Sequence, residues 1–103
     1  MIRHKFGAIR CERDGIKFPS KLERNYYDQL VLLQKAGNVL FFLLQPKFNL
    51  PGGVTYLADF LVFYADGNAE FVDTKGKDTP ISLLKRKQVE DIYPVKIKIV
   101  TKV

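Results

Sequence analysis

The chain has 103 residues and a formal charge of +6, from 17 Lys and Arg against 11 Asp and Glu. With 47% hydrophobic and 13% aromatic residues it can fill one compact core, which excludes disorder for most of its length. One cysteine (Cys11) and one histidine (His4) exclude an intrachain disulfide and a Cys/His zinc cluster, and neither is expected to be catalytic. No signal peptide is legible in residues 1–10, which are basic and lack an apolar run. No segment approaches the ~18 to 20 apolar residues of a membrane helix, so a small soluble cytoplasmic domain without a membrane partner is expected.

In chain order, residues 5–11 read as a short strand, Arg13-Asp14-Gly15 as a turn, and Ile16-Lys17-Phe18 leads into Pro19. From Ser20 the apolar spacing becomes helical: Leu22, Tyr26, Leu30 and Leu33 predict a helix over residues 21–36, stopped by Gly37-Asn38. The continuous apolar run Val39-Leu40-Phe41-Phe42-Leu43-Leu44 predicts a central strand covered on both faces. After Gln45-Pro46 and the loop Leu50-Pro51-Gly52-Gly53, residues 54–65 and 69–75 predict a hairpin around Asp66-Gly67-Asn68. Thr79 caps a helix that begins at Pro80 and ends near Ile92. Residues 95–103 alternate as a last strand with one face exposed. The order is helix, three strands, helix, strand, preceded by a β-like extension over residues 1–19, all in one domain.

Charge is uneven along this order. Residues 1–24 carry seven basic and three acidic side chains, residues 75–103 eight and three, and residues 25–74 two and five. Basic flanks around an acidic middle suit a polyanion-binding protein with a cation site, and equally a solvated surface.

Three features carry chemistry. Asp59 lies between Leu57 and Leu61 in an otherwise apolar stretch, where an ionised carboxylate is costly unless a cation or donors satisfy it. Asp73 and Lys75 are two apart near a strand end and so share a face, as a site or as an exposed ion pair. Glu23 stands in the first turn of the first helix, either as a site carboxylate or as the second half of the capping box Ser20-Lys21-Leu22-Glu23. Three carboxylates and a lysine are what metal-dependent phosphodiester hydrolysis needs, because Mg²⁺ takes oxygen ligands and the lysine offsets charge on the phosphate.

These residues resemble a known superfamily. Glu23 on a first helix, Ala58-Asp59-Phe60, Asp73-Thr74-Lys75-Gly76 and a following basic helix are similar to PD-(D/E)xK nucleases, although Ala58 stands where the superfamily's name has proline. The text from Ser20 to Tyr93, with Gln45-Pro46-Lys47-Phe48-Asn49-Leu50 and Tyr56-Leu57-Ala58-Asp59-Phe60, is similar to small phage nucleases related to endonuclease I-type and RecU-type Holliday-junction resolvases. The resemblance implies an α/β, restriction-endonuclease-like αβββαβ core with a mixed sheet flanked by helices. It implies catalytic roles for Glu23, Asp59, Asp73 and Lys75. It implies a Mg²⁺ site, open to Mn²⁺, made of Asp59, Asp73, the Thr74 carbonyl and Glu23 directly or through water.

The expected function is therefore a Mg²⁺-dependent DNA endonuclease, with branched DNA as a candidate substrate. A homodimer is expected if both strands are cut, since one small chain offers one site. Lys77, Lys85, Arg86 and Lys87 are the expected phosphate contacts, unless the last three merely solvate a helix. The alternative is a non-catalytic nucleic-acid-binding or scaffolding module on the same fold. Strand parity adds a geometric condition. A two-residue turn at Asp66-Gly67 would set Asp59 opposite Thr74 and put Asp73 and Lys75 on the other side of the sheet. A shared site requires an odd-length loop with Gly67 or Asn68 left-handed, or a β-bulge.

Overall fold

The structure, a computed structural model, describes residues 11–103. His4 and residues 5–10 of the expected first strand lie outside the described residues. The described chain begins with a hairpin of β1 (Cys11–Arg13) and β2 (Ile16–Phe18). Its tight turn uses the left-handed conformations of Asp14 and Gly15.

Helix α1 (Lys21–Lys35) starts where expected, because the Ser20 hydroxyl accepts the Glu23 N–H at 3.1 Å. Its stripe of Tyr26, Tyr27 and Leu30 is buried on the main sheet. That sheet contains β3 (Val39–Leu44), β6 (Phe60–Tyr64), β7 (Ala69–Thr74) and β8 (Ile97–Val100), in the order β3-β6-β7-β8. The first three are antiparallel and β8 is parallel to β7, so the sheet is mixed and the fold is α/β. The parallel step is bridged by α2 (Pro80–Ile92), capped by the Thr79 hydroxyl on the Ser82 N–H at 3.1 Å. A small second sheet pairs β4 (Lys47–Leu50) with β5 (Val54–Leu57). Counting the main sheet and its helices, chain order is α, three strands, α, strand.

Two cores pack on opposite faces of this sheet. Phe60, Val62 and Val72 meet α1 and Phe18 on one face. Phe71, Ile97 and Ile99 meet Val89 of α2 and Phe48 and Tyr56 of the small sheet on the other. Each fully buried large side chain contributes roughly 1.5–3 kcal/mol of transfer free energy.

Two expectations need correction. Among the described strands the run 39–44 is an edge strand rather than a central one: only Val39 is buried, while Leu40 and Leu43 are 59% and 51% exposed. Continuous apolarity marks burial only when both faces are covered, and here Val39 and Phe42 pack on the core while Phe41 and Leu43 are exposed; among the described strands β3 has a neighbour on one side. Residues 54–65 are also not one strand. The chain leaves the small sheet at Leu57, bends through Ala58 and Asp59, and enters the main sheet at Phe60. Asp59 therefore occupies the junction between two strands rather than the inside of one.

The hairpin condition is met. Phe60 pairs with Val72 and Val62 with Glu70, even opposite even, so the connection between Tyr64 and Asn68 has three residues. The Gly67 N–H donates to the Tyr64 carbonyl at 3.1 Å, Gly67 is left-handed at φ 94°, and Asn68 re-enters the ladder. Asp66 stabilises this form by accepting the Asn68 N–H at 2.9 Å. The Asp-Gly pair thus builds a three-residue loop although it favours a two-residue one locally.

Candidate functional site

The three-residue loop brings the acids together. Continuing the β6–β7 register by one residue sets Asp59 opposite Asp73, on one face of the sheet. Each aspartate binds the other's strand. The Asp59 N–H donates to Asp73 Oδ1 at 2.9 Å, and the Thr74 N–H and hydroxyl donate to Asp59 Oδ2 at 2.7 and 2.8 Å. Beyond Thr74 the backbone stays tied to β8, with the Lys75 N–H donating to the Val100 carbonyl at 2.9 Å.

Glu23 completes the cluster from α1. The backbone N–H of Glu23 is capped by Ser20, while its buried carboxyl lies beside Asp59. Burial, then the charge and a side-chain hydrogen bond of Asp59, then the charge of Asp73, push the Glu23 carboxyl up to about 8, with Lys75 opposing them. Asp73 is 1% exposed and its carboxyl is also raised, chiefly by burial, against the favourable charges of Lys75 and Arg86. The Glu23 carboxyl thus serves the acid cluster rather than the second half of a capping box, and only its backbone N–H takes part in the cap.

Whether these residues suit a hard cation is decided by their spare oxygens. Asp73 Oδ2 is buried and has no hydrogen-bond partner among the described residues. An orphaned carboxylate oxygen beside two more acids is a costly arrangement that a divalent cation would relieve. Among the described residues no three His, Cys, Asp or Glu side chains form a ready-made metal cage. Mg²⁺ does not need one, since it is commonly held by one or two carboxylates and keeps several waters. The donor set of Asp59, Asp73 and a nearby Glu23 fits that habit.

The expected basic surface divides. Lys77 and Lys87 are exposed and Lys85 half-buried. Arg86 points inward instead: it is 8% exposed, hydrogen-bonds both oxygens of Asp78, and acts electrostatically on Asp73. Consecutive helical residues lie about 100° apart, so three adjacent basic residues cannot share a face, and Arg86 follows Val89 into the interior. Arg86 is thus corrected from a surface phosphate contact to a buried pair that fixes the loop ahead of α2. Two features were missed in the sequence. The Thr74 hydroxyl holds Asp59, and Gln45 is left-handed at φ 53° beside the acids. Neither has a composition or spacing signal, since each depends on a neighbour distant along the chain.

A mixed α/β fold with three acids and a lysine at one end of its sheet is the class these observations define. The family model described as "Protein of unknown function (DUF1064)" matches residues 3–103, so the chain belongs to that family. Comparison with curated proteins gives no match. Among the described residues no helix is long and apolar enough to cross a membrane.

Proposed function

We propose that the protein is a Mg²⁺-dependent DNA endonuclease with a restriction-endonuclease-like core, working in the cytoplasm. The observation that carries this reading is the meeting of Glu23, Asp59 and Asp73 around a buried Asp73 oxygen that has no hydrogen-bond partner among the described residues. Asp59, Asp73, the Thr74 carbonyl and Glu23, directly or through water, would hold the ion. A bound Mg²⁺ supplies Lewis-acid polarisation of the phosphate and acidifies water. Thr74 and the Asp59 N–H fix the two aspartates in place, so little reorganisation is left for the reaction. Lys75 follows Asp73 by two residues and offsets negative charge developing on the phosphate. Lys77, Lys85 and Lys87 contact phosphates without reading sequence. Ala58 stands in the place of the motif's proline, and its N–H donates to the Pro46 carbonyl at 3.0 Å, a bond proline has no hydrogen to make.

Symmetric cutting of two strands calls for a homodimer. The deciding experiment incubates purified protein with a four-way junction and with a linear duplex of matched sequence, in Mg²⁺, Mn²⁺ or EDTA. Cleavage in Mg²⁺ or Mn²⁺ and not in EDTA is expected. DNA binding without cleavage in any condition would favour a non-catalytic binding module on this fold.

A further inference from the structure

On the side of the main sheet opposite α1, Phe41 and Phe63 stack with ring centroids 4.4 Å apart and an interplanar angle of 21°. The next pair along that side is Leu43 and Leu61. Further across it, Phe71, Ile97 and Ile99 of β7 and β8 lie beneath α2 and the small sheet. That cover stops short of β3 and β6: Phe41 is 46% and Leu43 51% exposed, and Leu61 and Phe63 are half-buried. The sheet therefore carries a flat apolar ledge, bordered by a step one packed layer high, about 10 Å. In a chain of formal charge +6, neither β3 nor β6 carries a charged side chain.

Resting on the nuclease reading only for the use of the dimer, we infer that this ledge is where a second copy of the chain packs, sheet face on sheet face about a twofold axis. Charge selects the occupant. Bases could stack on Phe41 and Phe63, but a nucleic-acid strand also needs cations along its path, and these strands supply none. Two equally basic copies repel, and a surface free of charge lets them meet at least cost. Shape agrees, since a lipid surface is held off the ledge by the step, whereas two such ledges interlock, each step standing beside the other copy's β3. The four side chains offer roughly 250–300 Å² of apolar surface per copy. With the polar rim that interfaces carry, two copies bury about 1,000 Å², the lower bound for specific association and the size of a reversible dimer.

Sedimentation of the full chain over about 1 to 200 μM, without DNA or metal, tests the surface. Wild type is expected to pass from monomer to dimer in that range. Leu43→Lys sets like charges across the twofold axis and should weaken dimerisation at least about tenfold, with an unchanged melting temperature for the monomer. Phe41→Gln, which adds no charge, should weaken it severalfold and covers a folding defect in the lysine variant. Leu32→Lys, at a site 66% exposed on α1, should change nothing. A wild type that is monomeric throughout overturns the inference, and dimerisation only after deletion of residues 1–10 would assign the ledge to that segment instead. Equal dimerisation in Leu43→Lys, Phe41→Gln and wild type also overturns it. So does flotation of wild type with phosphatidylcholine–phosphatidylglycerol vesicles that Leu43→Lys abolishes. If no DNA is cut in Mg²⁺ or Mn²⁺, the nuclease reading fails while sedimentation still decides the surface. If DNA is cut, Leu43→Lys should shift the product from double-strand cuts to nicks.

Discussion

Asp59 and Asp73 clamp one another across the junction of the two sheets: the backbone N–H of the first donates to the carboxylate of the second, and the N–H following the second donates to the carboxylate of the first. Each acid is thereby positioned by the strand that carries the other. Among the described residues, a carboxylate oxygen left over on Asp73 is buried and has no hydrogen-bond partner.

Replacing either aspartate by asparagine should separate fold from chemistry. The amide oxygen can still accept the clamping N–H, and removing one of three clustered acids lessens repulsion. Asp59→Asn and Asp73→Asn are expected to unfold within about 1 kcal/mol of wild type, or above it, and to lose at least ~100-fold in Mg²⁺-dependent cleavage. Thermal melts with and without Mg²⁺ give the complementary readout. Mg²⁺ should raise the melting temperature of wild type and not of Asp73→Asn.

Glu23 makes stability depend on pH in a specific direction. Its carboxyl rises from 4.5 to about 8 on folding, so the folded state holds the proton more tightly than the unfolded chain. The stabilisation is complete below pH 4.5 and is lost as pH rises through about 8. The loss is on the order of 3–5 kcal/mol at most. Urea midpoints in EDTA at pH 5 and pH 8.5 should therefore differ more in wild type than in Glu23→Gln, which keeps the cap and cannot ionise. Equal differences would remove Glu23 from the cluster.

The basic residues of α2 should split by burial. Lys77, Lys85 and Lys87 changed together to Gln should weaken DNA binding for every sequence and reduce the salt slope by about one for each phosphate no longer neutralised. Arg86→Gln should leave that slope nearly unchanged and cost roughly 1–3 kcal/mol of stability, because it breaks the pair with Asp78 beneath the helix. A salt slope that falls as much in Arg86→Gln as in the lysine variant would place Arg86 on the DNA.

The hairpin loop can be tested without touching the acids. Gly67→Ala puts a side chain at φ 94° and should destabilise by about 1 kcal/mol. Deleting Ala65 shortens the loop by one residue, reverses strand parity and should abolish cleavage in a protein that still folds, as circular dichroism would check.

Much of the architecture was legible because it is written locally. The 3.6-residue spacing of Tyr26, Leu30 and Leu33 marks α1, and the hydroxyls of Ser20 and Thr79 mark both helix starts. Glu23, Asp59, Asp73 and Lys75 stood out by residue type and position, and strand parity required an odd loop or a β-bulge if the acids were to share a face. The edge position of β3 among the described strands was not legible, since Val39–Leu44 has the same apolar text whether one neighbour or two lies beside it. Nor was the bend at Ala58 and Asp59, which forms when Gln45 and Pro46 bond to it from the connection between β3 and β4. The inward turn of Arg86 and the strained Gln45 beside Glu23 likewise depend on distant partners. Sequence determined which groups the molecule has and which local periods they follow. Tertiary structure decided which of those groups share a face, because pairing register and burial are set by residues far apart in the chain.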